Sequence, residues 1–369
     1  MASTLFAAAG SGLLCVLGDS ELPDYQNEDP IEIFRFSQSI SNLLERTISF
    51  SQFVSTHLES QKENLRVCQF RDPWSGIPII SIKDRKFAAI YEVNGLPSIE
   101  LSYVYPEIGL STLAKIRALE RTCWTEADAV ITPSETMKQN LSALGVSPSK
   151  ITVIPNGSDI PETLPPKPED APKKYILYFG ALQRWQGIDV LLRAFALLAD
   201  FQDLHLVIIS SNHPRQSKPF LRLAAKLEIE TRVHWRYQLH QNQLLAWIAH
   251  AWISVAPLTE CSRNLQQGCC PLKVLESMAL GVPVVASDLP SIRELMNDGI
   301  EGRLIRPGRP AELARAIRIL LEYPDHIEKM GKCAQIRIQQ HYTWKQSMAK
   351  LDQLYETILN RASPQPQSV

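Results

Sequence analysis

The chain lacks the features that mark several specialised classes. No stretch of its 369 residues comes near the roughly 18 unbroken apolar positions that a membrane-spanning helix needs. Neither charge sign is in excess: 38 Lys and Arg face 39 Asp and Glu, so no whole-molecule field favours nucleic acid, although a local basic patch stays compatible with that balance. The seven cysteines are scattered and odd in number, and adjacent Cys269 and Cys270 are poor partners for each other. No pair has zinc-finger or redox spacing, so a reducing cytoplasm is the simplest setting. Imidazole is scarce, since only His57 precedes His205. The first 18 residues carry no charged side chain, but they lack the basic start of a signal peptide and Gly10–Gly12 breaks the apolar run. They read as a helix remnant leading into a strand over Leu13–Leu17. Repeats are absent, and the polar tail Ala362–Val369 reads as disordered.

What is present is alternation. About 370 residues is too long for one ordinary core and suits two domains. Apolar runs predict strands at Leu13–Leu17, Ile31–Phe36, Val67–Phe70, Ala88–Val93, Ala129–Thr132 and Ile151–Ile154, with helical patterns over Ser37–Ser60, Thr112–Ala127 and Glu135–Leu144. Pro161–Lys174 then holds five Pro in fourteen residues, the composition of a stiff linker. Alternation restarts with strands at Tyr175–Phe179, Leu204–Ile209, Val233–Trp235, Ile253–Ala256, Val284–Ala286 and Gly302–Ile305, and ends in helices over Pro310–Leu321, Pro324–His341 and Trp344–Leu359. Two βα-alternating halves argue for an α/β protein of two doubly wound domains.

One segment is more specific than the rest: Gly268–Ser287, GCCPLKVLESMALGVPVVAS. It predicts a loop, a helix begun by Pro271 and ended by Gly281, and a buried strand over Val282–Ala286. Lys273 and Glu276 are three apart and share one helix face. A helix N-terminus with a Lys beside it suits a diphosphate, and a carboxylate one turn further in can accept hydrogen bonds from the paired hydroxyls of a ribose. The same two residues also fit an ordinary surface helix with an i,i+3 ion pair.

The whole string resembles the nucleotide-sugar site of retaining family-4 glycosyltransferases, which have a GT-B fold. The resemblance implies two Rossmann-like domains facing a cleft: an acceptor-side domain over 1–160 joined by the helix 344–360, a linker over 161–174, and a nucleotide-sugar domain over 175–343. It also implies that the donor substrate is a nucleoside diphosphate sugar, with no further cofactor and no metal. No two Asp are separated by a single residue, so the Asp-x-Asp metal signature of the other main glycosyltransferase fold is missing. Phe179–Leu192, FGALQRWQGIDVLL, is similar to the loop that passes under the donor diphosphate, which assigns Gly180, Gln186 and Gly187 to donor binding. The family's usual Arg and Lys are Ala181 and Gln186 here, so Arg184 becomes the candidate for the displaced charge; its other reading is a solvated loop arginine. Ser211 stands where the family has a Gly-rich turn. Tyr237 and Gln238 stand where it contacts the base, and a buried strand-end Tyr fits equally. Backbone N–H groups of Cys270, Leu272 and Lys273 are placed for phosphate, Lys273 as the catalytic cation and Glu276 for the ribose. The family's paired-Glu motif is half present, with Gly268 at its first position.

In the N-terminal half, Phe70–Gly76 and Tyr91–Glu100 also resemble the family. Arg71, Asp72 and Glu100 are acceptor-side candidates, with local ion pairing as the other reading. Asn94 takes a position often filled by a catalytic His, and retains donor and acceptor capacity without titrating. The strand Leu13–Leu17 resembles the second strand of the fold, so the first strand and its Gly-rich loop are expected to be missing, either through a late-assigned start or in a weakened enzyme. The implied acceptor is a sugar, glycolipid or polysaccharide precursor, with peripheral contact at the inner face of the membrane left open. Two other functions stay in view. A sugar-nucleotide epimerase would need imidazole in the N-terminal half. A binder without turnover would suit Gly268, Asn94 and the missing strand.

Overall fold

The computed structural model describes residues 11–18 and 21–362. The readings made above for residues 1–10 and 363–369 lie outside them. The chain forms two compact units: residues up to Pro133 with Lys138–Ile154 and Met348 onward, and Ser134–Met137 with Pro155–Ser347. The change of unit falls after Ile154 rather than in the Pro-rich segment, which belongs to the second unit. That segment is tied down there: Pro165 O accepts from His250 Nε2 at 2.8 Å, and Asp170 pairs with Arg236.

The first unit carries two sheets. In one, β1 (Gly12–Leu17) runs parallel to β3 (Ile31–Phe36), and β2 (Tyr25–Glu28) pairs antiparallel on its far side. The other is parallel throughout, in the order β4 (Val67–Phe70), β5 (Ala88–Glu92), β6 (Ala129–Thr132), β7 (Ile151–Val153). Its described helices are α1 (Leu43–Gln61), α2 (Pro73–Ile80), α3 (Pro97–Val104), α4 (Leu110–Glu126) and the part of α5 (Glu135–Ala143) from Lys138 onward. Asn42 sets the start of α1, because its side chain accepts from the N–H groups of Leu44 and Glu45; the helix therefore begins later than the expected Ser37.

Between the sheets lies an interruption. Gly12 N–H and Gly18 N–H bond Pro30 O and Phe36 O, so the alternating backbone groups of Leu13, Cys15 and Leu17 face away from β3. Ala88 N–H bonds Arg66 O, so those of Val67 and Gln69 face away from β5. Cys15 and Cys68 are near enough for a Cys15 thiolate to help burial push the Cys68 thiol up to about 12. Among the described residues no strand joins β1 to β4.

The second unit is a single parallel sheet. Its strands are β8 (Lys174–Gly180), β9 (Leu204–Ser210), β10 (Val233–Tyr237), β11 (Ile253–Ala256), β12 (Val284–Ser287) and β13 (Gly302–Ile305), in the order β10-β9-β8-β11-β12-β13. Both faces are buried. Ile176 and Tyr178 of β8 enter one core with Leu206 and Ile208, while Tyr175, Leu177 and Phe179 enter the other with Val207 and Ile209. The helices are α6 (Ile188–Ala196), α7 (Lys218–Lys226), α8 (Gln241–Ala249), α9 (Leu272–Ala279), α10 (Pro290–Leu295), α11 (Pro310–Glu322) and α12 (Pro324–His341). The last helix, α13 (Trp344–Ala362), leaves this unit, and its Leu351 and Ile358 are buried against Ala88, Ile90, Ala129 and Ile131 of the first. Strand order reverses between β8 and β11. A parallel sheet of this kind opens a crevice at the carboxyl ends of the strands on either side of that point.

Candidate active site

The loop leaving β8 occupies that crevice. Gly180 and Gly187 both have positive φ, +129° and +71°. A Cβ on Gly187 would lie 1.9 Å from Pro257 O, so the loop passes hard against the exit of β11 and only Gly fits there. Trp185 is buried, and its carbonyl accepts from Thr259 N–H at 3.0 Å and from Asn264 Nδ2 at 3.1 Å. The loops after β8 and β11 are thus stitched together.

Pro271 stands at the cap position of α9, one residue before the predicted place. No side chain caps this helix end, which leaves first-turn N–H groups available to an outside acceptor. Lys273 is buried, and its Nζ donates to Gln186 Oε1 at 2.6 Å and sits 4.1 Å from the centre of the Tyr178 ring. A Cβ on Gly180 would stand 3.2 Å from that nitrogen. Burial pulls the Lys273 ammonium down to about 7. Glu276 is half-buried, accepts from Gln241 Nε2 at 3.1 Å, and has its carboxyl raised by burial. Among the described residues neither Lys273 nor Glu276 enters a salt bridge, so the surface ion-pair reading is set aside. A buried cation beside a glycine, with no carboxylate to balance it, is chemically suited to an anionic ligand.

Other predicted residues converge on the same strand ends. Ser211 N–H bonds Gly180 O at 3.2 Å, and Gln238 N–H bonds Ser210 O at 2.8 Å with φ of +49°. Asn212 Oδ1 accepts from Leu182 N–H at 2.6 Å and so fixes the loop. Cys270 O accepts from Asn156 Nδ2 at 2.7 Å. The Tyr237 hydroxyl, by contrast, is already shared with Ser217 at 2.8 Å, and its ring stacks on Trp235. Arg184 is exposed and makes no ion pair or side-chain hydrogen bond among the described residues. Gly268 has φ +71° and ψ −178°, and a Cβ there would press on Thr136 Cγ2 at 3.0 Å. A side chain at this position would be strained by the positive φ and would crowd Thr136. Sequence reasoning missed Arg263, Asn264 and Gln241, which come from segments without a motif.

In the first unit, Glu92 is the hub that sequence reasoning missed. It accepts from Gln69 at 2.7 Å, Arg71 at 2.9 Å and Asn94 at 2.7 Å, at the carboxyl ends of β4 and β5. Tyr355 of α13 donates to Gln69 at 2.7 Å. Asp72 accepts from Ser75 N–H at 2.9 Å and is the N-cap of α2, so its local role is structural. Glu100 lies in the first turn of α3, beside the fully buried Glu120, whose carboxylate accepts from Ser98 N–H and Oγ and is raised by burial. His57 packs between Phe34 and Phe53. Among the described residues no group of three or more His, Cys, Asp and Glu is placed to hold a metal, and no helix is long and apolar enough to cross a membrane.

Known proteins share this pattern. Residues 173–323 match the family model described as glycosyl transferases group 1, and residues 72–162 the one described as glycosyltransferase family 4. The D-inositol 3-phosphate glycosyltransferase of Streptomyces coelicolor is 31% identical over 187 residues, 48% of this chain and 39% of that protein. Glycogen synthase of Mycobacterium tuberculosis is 26% identical over 258 residues, 69% of this chain and 59% of that protein. The chain therefore spans less than two thirds of either relative. Among solved structures, sucrose-phosphate synthase from Thermosynechococcus elongatus superposes with a TM-score of 0.79 at 21% identity, covering 98% of this chain and 92% of that one. Anabaena HepE, solved in complex with UDP and glucose, gives 0.68 at 19%, covering 89% and 86%. At these identities the structural likeness establishes the fold, GT-B with two Rossmann-like domains.

Proposed function

The chain belongs to the family-4, group 1 glycosyltransferases, and from that premise we propose that it moves a sugar from a nucleoside diphosphate sugar to an acceptor hydroxyl with retention and without a metal. The observation that carries this reading is Lys273, buried beside Gly180 at the point where strand order reverses, with no carboxylate among the described residues to balance it. Departure of a diphosphate builds negative charge, and an ammonium fixed in a low-dielectric site stabilises that charge more than it stabilises the intact donor. The uncapped start of α9 adds the N–H groups of Leu272 and Lys273, with Cys270 N–H just before the cap residue Pro271. Glu276 would take the ribose hydroxyls. Gly180, Gln186, Gly187, Ser211 and Gln238 would form the bed of the donor. HepE binds UDP and glucose, which makes UDP-glucose the first donor to try. Arg71 and Glu100 are proposed for the acceptor side, on a sugar, glycolipid or polysaccharide precursor, and Asn94 for catalysis beside the transferred sugar. The unpaired thiols suit a reducing compartment, and we place the protein in the cytoplasm.

Gly268 favours one other reading, a sugar-nucleotide binder without turnover, because the residue expected to grip the transferred sugar is absent. One experiment separates the two. UDP-, GDP- and ADP-glucose are incubated in EDTA with a panel of sugar phosphates and lipid extracts, and nucleoside diphosphate release and product anomeric configuration are followed by NMR. An axial product from an axial donor, formed at the same rate in EDTA, is expected. Tight donor binding with no release under any acceptor would favour the binder, and activity restored only by Mg²⁺ or Mn²⁺ would overturn metal independence.

A further inference from the structure

Tyr178, two residues before the end of β8, is fully buried and belongs to no motif. Lys273 Nζ stands over its ring, 4.1 Å from the centre, so the ammonium meets the negative face of the π-system. The hydroxyl of the same residue donates to Ala181 O at 2.7 Å and lies 3.3 Å from Gln186 Oε1. That amide oxygen is the one that accepts from Lys273 Nζ at 2.6 Å. One tyrosine thus holds the cation by its face and, by its edge, ties down the loop that supplies the cation's acceptor. On a further side Gly180 leaves room, since a Cβ there would lie 3.2 Å from Nζ and 3.7 Å from the Tyr178 hydroxyl. Burial opposes this arrangement, because it favours the neutral amine, whereas the ring and the amide oxygen favour the ammonium. Cys269 and Arg263 also act on Lys273, a thiolate to keep the charge and the guanidinium to remove it. Tyr178 itself stays protonated, because burial pushes its hydroxyl far above the ordinary value.

Resting on the donor-site reading above, we propose that Tyr178 is a positioning residue for the donor diphosphate: its ring face holds the Lys273 ammonium in the buried site, and its hydroxyl fixes the loop that aims it. An ammonium has three donors, and among the described residues one of them is used, by Gln186. The tyrosine acts through Lys273 and leaves the remaining donors to phosphate oxygens. The two parts of the side chain make separate contributions. The ring matters where Lys273 would otherwise lose its proton, while the hydroxyl matters at every pH.

The test uses the full chain and calorimetry with UDP, GDP and ADP, and carries whichever binds tightest through pH 6 and pH 8. Tyr178→Phe keeps the ring and loses the hydroxyl. The same substitution made with phenylalanines bearing two and three ring fluorines nearly keeps the ring's shape and weakens its attraction for a cation stepwise. Ratios between variants at one pH cancel the nucleotide's own titration. Against plain Tyr178→Phe, the three-fluorine ring should weaken the diphosphate about tenfold at pH 8 and less than about threefold at pH 6, because the ammonium is disfavoured by about one pH unit. Tyr178→Phe itself should cost the same factor, about threefold, at both pH values, as the net loss of one hydrogen bond. Thermal melting confirms that each variant is folded; if the three-fluorine ring is not, the two-fluorine ring decides, with a smaller shift of the same sign. Fluorinated rings that bind like plain Tyr178→Phe at pH 8, or that lose the same factor at both pH values, overturn the role of the ring. Unchanged affinity in Tyr178→Phe overturns that of the hydroxyl. Lys273→Ala separates the two levels of argument. If it loses diphosphate while the Tyr178 variants do not, only the tyrosine is misassigned; if neither loses any, or the wild type binds none of the nucleotides, the donor site itself is misplaced.

Discussion

Lys273 is held near pH 7 by burial, so its proton is the most sensitive reporter of the site. Its ordinary value lies at 10.5, hence between pH 7 and 10.5 the unfolded chain holds a proton that the folded one has released. Stability from this group therefore rises with pH across that window, and at lower pH the folded protein carries a buried ammonium. Lys273→Met should raise the urea midpoint at pH 6, with the gain shrinking as pH climbs past 7. Binding a diphosphate restores the charge, so at pH 8 it should take up a proton, seen as a buffer-dependent calorimetric enthalpy that Lys273→Met abolishes. A wild type that binds with no proton uptake between pH 7 and 9 would contradict the pairing of this ammonium with phosphate. Lys273 and Glu276 could be singled out in the sequence because their relation is local, three positions on one helix. Asn264 could not, because its place depends on its reaching a carbonyl 79 residues away. Gly268 was legible only as a departure from a motif, and its positive φ was not.

At the scale of elements, what the sequence announced were the strands buried on both faces, since an unbroken apolar run such as Tyr175–Phe179 has few other uses. What it hid were the elements with weak signals. Strand β2, Tyr-Gln-Asn-Glu, is mostly exposed and polar, and α2 carries an internal Pro78. Asp72 illustrates the cost of missing α2: it was read as a candidate for the acceptor side, yet its carboxylate closes the first turn of that helix at 2.9 Å from Ser75 N–H. Asp72→Ala should cost about 1 kcal/mol of stability, the usual loss of an N-cap, and Asp72→Asn or Asp72→Ser should recover most of it. Chemical denaturation of the three variants, run beside donor turnover, checks the assignment. Turnover that collapses in Asp72→Asn with stability intact would move the carboxylate back to the chemistry.

For the whole molecule, the decisive contrast is between two compact units with separate cores. The second has six parallel strands in unbroken order, and both faces of its central strand β8 are sealed by apolar side chains. Among the described residues the first divides its strands between two sheets, and the backbone groups of Leu13, Cys15, Leu17, Val67 and Gln69 face away from β3 and β5. Every ladder bond not made inside a protein forfeits roughly 0.5–1.5 kcal/mol. The first unit should therefore unfold at the lower temperature, and calorimetric scanning should resolve two transitions rather than one. The proposed donor residues from Gly180 to Glu276 all belong to the second unit. A nucleoside diphosphate at 100 times its dissociation constant should then stabilise the upper transition by about 2.7 kcal/mol and leave the lower one in place. Hydrogen exchange identifies which amides report each step, with β4 and β5 releasing protons in the first and β8 and β9 in the second. A shift confined to the lower transition would place the nucleotide on the first unit, against every donor residue assigned here, while one cooperative transition would mean that the interrupted sheet is stabilised by the rest of the chain.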